Sequence, residues 1–184
     1  MAKIEKVIFI GLGVMGEPMC RNLVKKSGLT VVGFDRNMEP LERLKSYGVV
    51  PAQDLVVALI NVDAVLISLP SGAEVEELSL MEDGLLSQAH AGQTVIDLGT
   101  TPVELTRKLA TSFAAKGVAY ADAPVSRTRS AAEAGTLSIL VGSKQHVFDS
   151  ILPLLDCFAE EVTHCGDVGA GQIVKQLNNM VLAQ

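Results

Sequence analysis

The segment "VIFIGLGVMGEPMCRNL", residues 7–23, leaves few choices of fold. Four apolar residues, 7–10, suit a buried strand, and Gly11-x-Gly13-x-x-Gly16 follows them at once, ahead of a run with helical spacing. In such a strand–turn–helix unit the first glycine permits the tight turn. The second lets backbone amides approach a pyrophosphate, and the third lets helix and strand pack closely. The helix N-terminus, with free N–H groups and a favourable dipole, draws negative charge. Gly11, Gly13 and Gly16 are therefore expected to hold a dinucleotide, with Val14 and Met15 completing the turn against it. The next strand pattern, "VVGFDRN", ends in Asp35, 19 residues after Gly16. A carboxylate there accepts hydrogen bonds from a ribose diol and repels a 2′-phosphate, which favours NAD. Arg36, beside it, can stack on adenine or meet a phosphate, so NADP stays open.

The rest of the chain repeats the alternation. Strand patterns cover 30–34, 64–69, 94–98, 119–123 and 137–141, with a weaker one at 161–165; helical patterns cover 15–26, 40–47, 73–80, 102–116, 144–155 and 171 to the end. This predicts an α/β fold of Rossmann type, a doubly wound, mostly parallel sheet with helices on both faces. "TTPVE" predicts a capping box, with Thr101 as N-cap, Pro102 at the first helical position and Glu104 at the third. In the last segment Ile173, Leu177, Met180 and Val181 share one apolar face, and no capping signal closes the helix at Gln184. The expected division is a dinucleotide-binding domain over 1–166 and, over 167–184, the start of an interdomain helix whose all-helical continuation is absent.

Composition narrows the function classes. With 184 residues, 48% of them apolar and 20% charged, the chain suits one well-buried soluble core. A net charge of −6 argues against nucleic acid as a partner, though not against a local anion pocket. Cys20, Cys157 and Cys165 have no metal-ligand or CxxC spacing, and His90, His146 and His164 are scattered, so no metal site is expected. The cysteines suit free thiols in a reducing, cytoplasmic setting. No apolar run approaches the ~18 residues of a membrane helix, and the N-terminus lacks a signal-cleavage pattern.

Four motifs occur in an order that resembles the β-hydroxyacid dehydrogenase family: "IGLGVMGEPMCRNL", "DLGTTP", "DAPVSRTRSAAEAGTL" and "GAGQIVKQLNN". The resemblance covers nearly the whole chain but only the N-terminal part of the family. It implies an NAD(P)-dependent enzyme that moves a hydride between nicotinamide and a small anionic hydroxy acid or semialdehyde, homo-oligomeric at full length through the absent helical domain. By position, Lys175 is the family's catalytic lysine and Asn178 lies one turn on. A lysine depressed by burial beside a cofactor can give or take the carbonyl-oxygen proton. Thr100 matches the threonine near the nicotinamide ribose, and Leu69 and Pro70 the segment passing the adenosine ribose. Where the family has Ser-Gly-Gly, whose glycine amides cradle the substrate carboxylate, this chain has Ser126, Arg127 and Thr128. That Arg-Thr pair resembles the branch of 3-sulfolactaldehyde reductase, in which the arginine contacts the sulfonate. Arg127 is thus the expected anion anchor, with Thr128 adding a hydroxyl, and Arg129 is expected on the surface of an irregular segment. Two other readings stand beside this one. One is a catalytically silent dinucleotide-binding module. The other is a relative of 6-phosphogluconate dehydrogenase, against which the Lys-x-x-Asn-Asn pattern speaks.

Overall fold

The computed structural model describes residues 4–182. Among these the strands are β1 (Lys6–Ile10), β2 (Thr30–Phe34), β3 (Val50–Ala52), β4 (Ala64–Ile67), β5 (Thr94–Asp97), β6 (Ala119–Asp122), β7 (Val125–Ser126), β8 (Leu137–Gly142) and β9 (Ala159–Gly166). The helices are α1 (Gly16–Ser27), α2 (Met38–Lys45), α3 (Leu55–Ala58), α4 (Gly72–Leu80), α5 (Leu85–Gln88), α6 (Val103–Ala114), α7 (Arg129–Ala134), α8 (Gln145–Leu155) and α9 (Ala170–Leu182). Every strand and helix expected from the sequence is present. Ala183 and Gln184, the end of the last expected helix, lie outside the described residues. The unforeseen elements β3, β7, α3, α5 and α7 span two to six residues each, too few to establish a periodicity.

β3, β2, β1, β4, β5 and β6 lie side by side in that order, all parallel. β8 then runs antiparallel to β6 and β7, and β9 pairs parallel to β8. Side chains alternate between the two faces, as the two-residue strand period requires. From β1, Val7 and Phe9 join the core beneath α1, α2 and α8, whereas Ile8 and Ile10 join the core beneath α4 and α6. Phe9 and Phe113 anchor the two layers with no exposed surface, each contributing about 2–3 kcal/mol by area removed from water. The direction of winding reverses between β1 and β4, which opens a crevice above their C-terminal ends. No helix among the described residues is long and apolar enough to cross a membrane.

The expected capping box does not form. α6 begins at Val103, Pro102 takes the N-cap position with ψ 137°, and no side chain caps it. The Thr101 hydroxyl donates instead to Oδ2 of buried Asp97 at 2.6 Å. An uncapped helix end costs about 1 kcal/mol; a buried carboxylate short of partners costs more. Arg129 is exposed, as expected, but opens a helix, α7, where it pairs with Glu133 four residues on at 2.8 Å.

Candidate active site

The glycine loop divides its labour. Gly11 sits at φ +88°, and a Cβ there would stand 2.3 Å from the Ser68 carbonyl oxygen; one on Gly16 would stand 1.9 Å from the Gly11 oxygen. These two glycines serve the chain's own packing. A Cβ on Gly13 would meet nothing within 4 Å, so its bareness faces open space. No side chain caps α1 at Met15, and free N–H donors at a helix start suit a phosphate.

That space is a cleft of about 700 Å³ over the C-terminal ends of β1, β2, β4 and β5. Gly11, Gly13, Val14, Met15, Gly16, Asp35, Arg36, Leu69, Pro70 and Thr100, the expected cofactor residues, all line it. Its volume, its bare glycine backbone and the Asp35 carboxylate in its lining fit a dinucleotide. Asp35 also has work inside the fold: Oδ2 accepts from the Leu12 amide at 2.6 Å and Oδ1 from the Asn37 amide at 2.7 Å. It thereby pins the glycine loop to the end of β2, and each oxygen keeps a lone pair for a ribose hydroxyl. Arg36 pairs with Glu77 at 3.2 Å, both well exposed, a contact worth at most about 1 kcal/mol. Asp35→Ala is expected to weaken NADH about 10- to 100-fold, or about 1.4–2.8 kcal/mol, and NADPH by less, in a fluorescence titration. Equal losses would leave Asp35 with the loop-pinning role alone.

Val125 also lines the cleft, whereas the expected substrate residues Ser126, Arg127, Thr128 and Asn178, and Lys175 with them, are not among its lining residues. The Lys175 ammonium, on α9, donates to the Ser126 hydroxyl at 3.0 Å, bringing together two residues 49 positions apart. Partial burial holds the Lys175 pKa below the usual lysine range. Asn178 lies exposed one turn further along α9. Arg127 has φ +85°, a conformation natural to glycine that costs an L-residue about 1–2 kcal/mol. Glycine, which the resemblance to the family's Ser-Gly-Gly leads one to expect at this position, adopts that conformation without cost. The Arg127 Nη1 donates to the carbonyl of Thr136, just before β8, at 2.7 Å and to Glu160 Oε2 on β9 at 2.5 Å. Glu160 is the extra residue of a β-bulge, since Leu137 pairs with Ala159 and Ser138 with Glu161. The Thr128 hydroxyl bonds Ser130 at 2.7 Å.

Beneath these groups lie buried polar residues to which the sequence assigned no role. Asp97 and Asp122 end β5 and β6 in direct register. Asp97 accepts from the Gly99 amide and the Thr101 hydroxyl, and burial, reinforced by the Asp122 charge, pushes its pKa up to about 6. Burial also raises Asp122, while the Gly169 and Gln172 amides that donate to it pull the other way. The Gln172 Nε2 donates to the Gly99 carbonyl at 2.8 Å. Asp122 stands inside the sequence motif "DAPV" and Gln172 inside "GAGQIVK", which is the signal that could have found them. Nothing in the residue types announces the bulge at Glu160.

Sheet order, glycine loop and cleft together define a dinucleotide-binding Rossmann domain. Residues 6–166 match the family model described as the NAD binding domain of 6-phosphogluconate dehydrogenase. Among curated proteins the chain is 38% identical to 2-(hydroxymethyl)glutarate dehydrogenase of Eubacterium barkeri, over 99% of this chain and 60% of that one. It is 39% identical to 3-hydroxyisobutyrate dehydrogenase of Pseudomonas aeruginosa, over 96% of this chain and 59% of that one. A solved 3-hydroxyisobutyrate dehydrogenase of Mycobacterium tuberculosis, with L-serine, superposes at a TM-score of 0.90 with 34% identity, covering 98% of this chain and 60% of that chain. The chain belongs to the β-hydroxyacid dehydrogenase family, of which it matches the NAD-binding N-terminal part. It spans about 60% of the length of these relatives.

Proposed function

We propose that this chain is the cofactor-binding part of an NAD-dependent oxidoreductase acting on a small anionic hydroxy acid or its semialdehyde, with residues 167–184 starting the helix that leads out of the domain. Its carrying observation is the Lys175–Ser126 contact of 3.0 Å, made by the residue that follows Val125 of the cleft lining, with the lysine depressed by burial. Bound in the cleft, NAD supplies the hydride acceptor, or in reduced form the donor. The glycine loop and the α1 N-terminus hold the pyrophosphate, Asp35 the ribose, and Thr100 the nicotinamide end. Lys175 in its neutral form takes the hydroxyl proton as the alcohol is oxidised, and its ammonium returns a proton to the oxygen in the reverse direction. Ser126 orients the lysine head, and Asn178 holds the reacting oxygen without titrating.

The relatives' names narrow the substrate. 3-Hydroxyisobutyrate, 2-(hydroxymethyl)glutarate and, in a third relative from Pseudomonas aeruginosa, L-serine share a primary alcohol two carbons from a carboxylate. The glycine-like turn at Arg127 supports a backbone seat for that carboxylate, and Arg127 adds a guanidinium for an anionic end. To act as anchor it exchanges Glu160 for substrate. Both partners are largely exposed, at 41% and 61%, so the pair is worth about 1 kcal/mol or less and a bound anion outcompetes it.

The test is turnover of a panel comprising 3-hydroxyisobutyrate, L-serine, 2-(hydroxymethyl)glutarate and sulfolactaldehyde. It is run on this chain joined to the unmatched C-terminal part of the 3-hydroxyisobutyrate dehydrogenase of Pseudomonas aeruginosa. Turnover of one class is expected, with Arg127→Ala raising KM about tenfold or more at little cost to kcat. No turnover of any member overturns the oxidoreductase reading and favours the silent dinucleotide-binding module.

A further inference from the structure

The first turn of α9 is fastened by residues that the proposed chemistry does not use. Asp122, at the end of β6, has no exposed surface; its Oδ1 accepts from the Gly169 amide at 2.6 Å and its Oδ2 from the Gln172 amide at 2.9 Å. An α-helix leaves its first N–H groups unpaired, and an anion set against them satisfies donors and dipole together. Two glycines make room for this carboxylate. A Cβ on Gly142 would stand 2.5 Å from Asp122 Oδ1, and one on Gly171 would stand 2.9 Å from Oδ2 and 2.3 Å from the Leu140 carbonyl oxygen. Gln172 adds a second tie, through its side-chain amide to the Gly99 carbonyl beside Thr100. Lys175 stands three residues beyond Gln172 on the same helix. Each residue of an α-helix advances 1.5 Å and turns 100°, so a slip of one residue carries the lysine head away from Ser126.

We propose that Asp122 is a positioning residue for Lys175: its buried carboxylate fixes the height and rotation of α9 and thereby sets the lysine ammonium on the Ser126 hydroxyl. The functional importance of this rests on Lys175 being the proton-transfer group, whereas the clamp itself is a matter of this chain's own geometry. Asp122 touches no reacting atom and acts through the helix.

The test uses this chain labelled with 13C-lysine. The Lys175 side chain is titrated by NMR, with its resonance assigned by loss in Lys175→Arg. In Asp122→Asn the clamp is lost and the lysine head gains solvent, so its titration midpoint rises toward the ordinary lysine value, while NADH affinity, carried by the glycine loop, is unchanged. Removing a negative charge without moving the helix would instead lower the midpoint, because a cation loses an attractive neighbour. A fall, or no change, overturns the proposal. A measurement without any variant guards against a misfolded Asp122→Asn: in the wild-type chain the Gly169 and Gln172 amides are expected to exchange about 100-fold or more slower than in free peptide, and exchange at the free rate overturns the clamp. Loss of NADH binding by the wild-type chain would count against the proposed function instead, and would leave the lysine titration to be read as it stands.

Discussion

Gly16→Ala lowers stability by about 3 kcal/mol or more and abolishes dinucleotide binding, whereas Gly13→Ala, three residues away, leaves stability within about 1 kcal/mol. At Gly16 the added carbon would lie 1.9 Å from the Gly11 carbonyl oxygen and 2.9 Å from its carbon, both backbone atoms that cannot rotate aside. The start of α1 must therefore move off β1, opening the core around Phe9 and Met19. At Gly13 the same carbon meets nothing within 4 Å, so its cost falls on the ligand that approaches there. In a domain of this size 1 kcal/mol shifts Tm by about 2–4 °C, so Gly16→Ala is expected to melt about 10 °C lower and Gly13→Ala almost unchanged. NADH titration of the pair separates the roles: Gly13→Ala remains folded yet binds NADH weakly. Equal melting of both variants would contradict the division of labour in the loop.

Lys175→Met removes the lysine head and keeps an apolar stem, and is expected to cut turnover of the C-terminally joined chimera by about 10²- to 10⁴-fold, with NADH affinity intact. Burial lowers the Lys175 pKa, which fixes the sign of the pH dependence. Alcohol oxidation needs the neutral amine, so its rate climbs with pH and levels off below the ordinary lysine range. Carbonyl reduction needs the ammonium and declines over the same interval. Both limbs are expected to vanish from the residual activity of Lys175→Met. A variant that keeps its turnover, or keeps the limb, removes Lys175 from the proton transfer.

The cofactor side of the site was legible because its residues are local. Gly11 to Gly16 carry their geometry in sequence spacing, and Asp35 follows at the end of the next strand, so a pattern of strand, turn and helix suffices to bring them together. The meeting of Lys175 with Ser126 required the resemblance, since no periodicity links positions 49 apart. Tertiary satisfaction of buried groups was beyond reach. Thr101 has the residue type and spacing of an N-cap, but the pull of buried Asp97 decides where its hydroxyl points. Arg127 has the chemistry of an anion anchor, yet a bulge at Glu160 supplies its partner in this structure, and bulges leave no mark in residue type.

The cleft is tested most directly by titrating this chain, as it stands, with NADH and then NADPH and following the dinucleotide's fluorescence. Saturable binding at one site per chain, tighter for NADH and weakened in Gly13→Ala, is the result expected from the glycine loop and Asp35. No binding of either dinucleotide to a folded chain would contradict it.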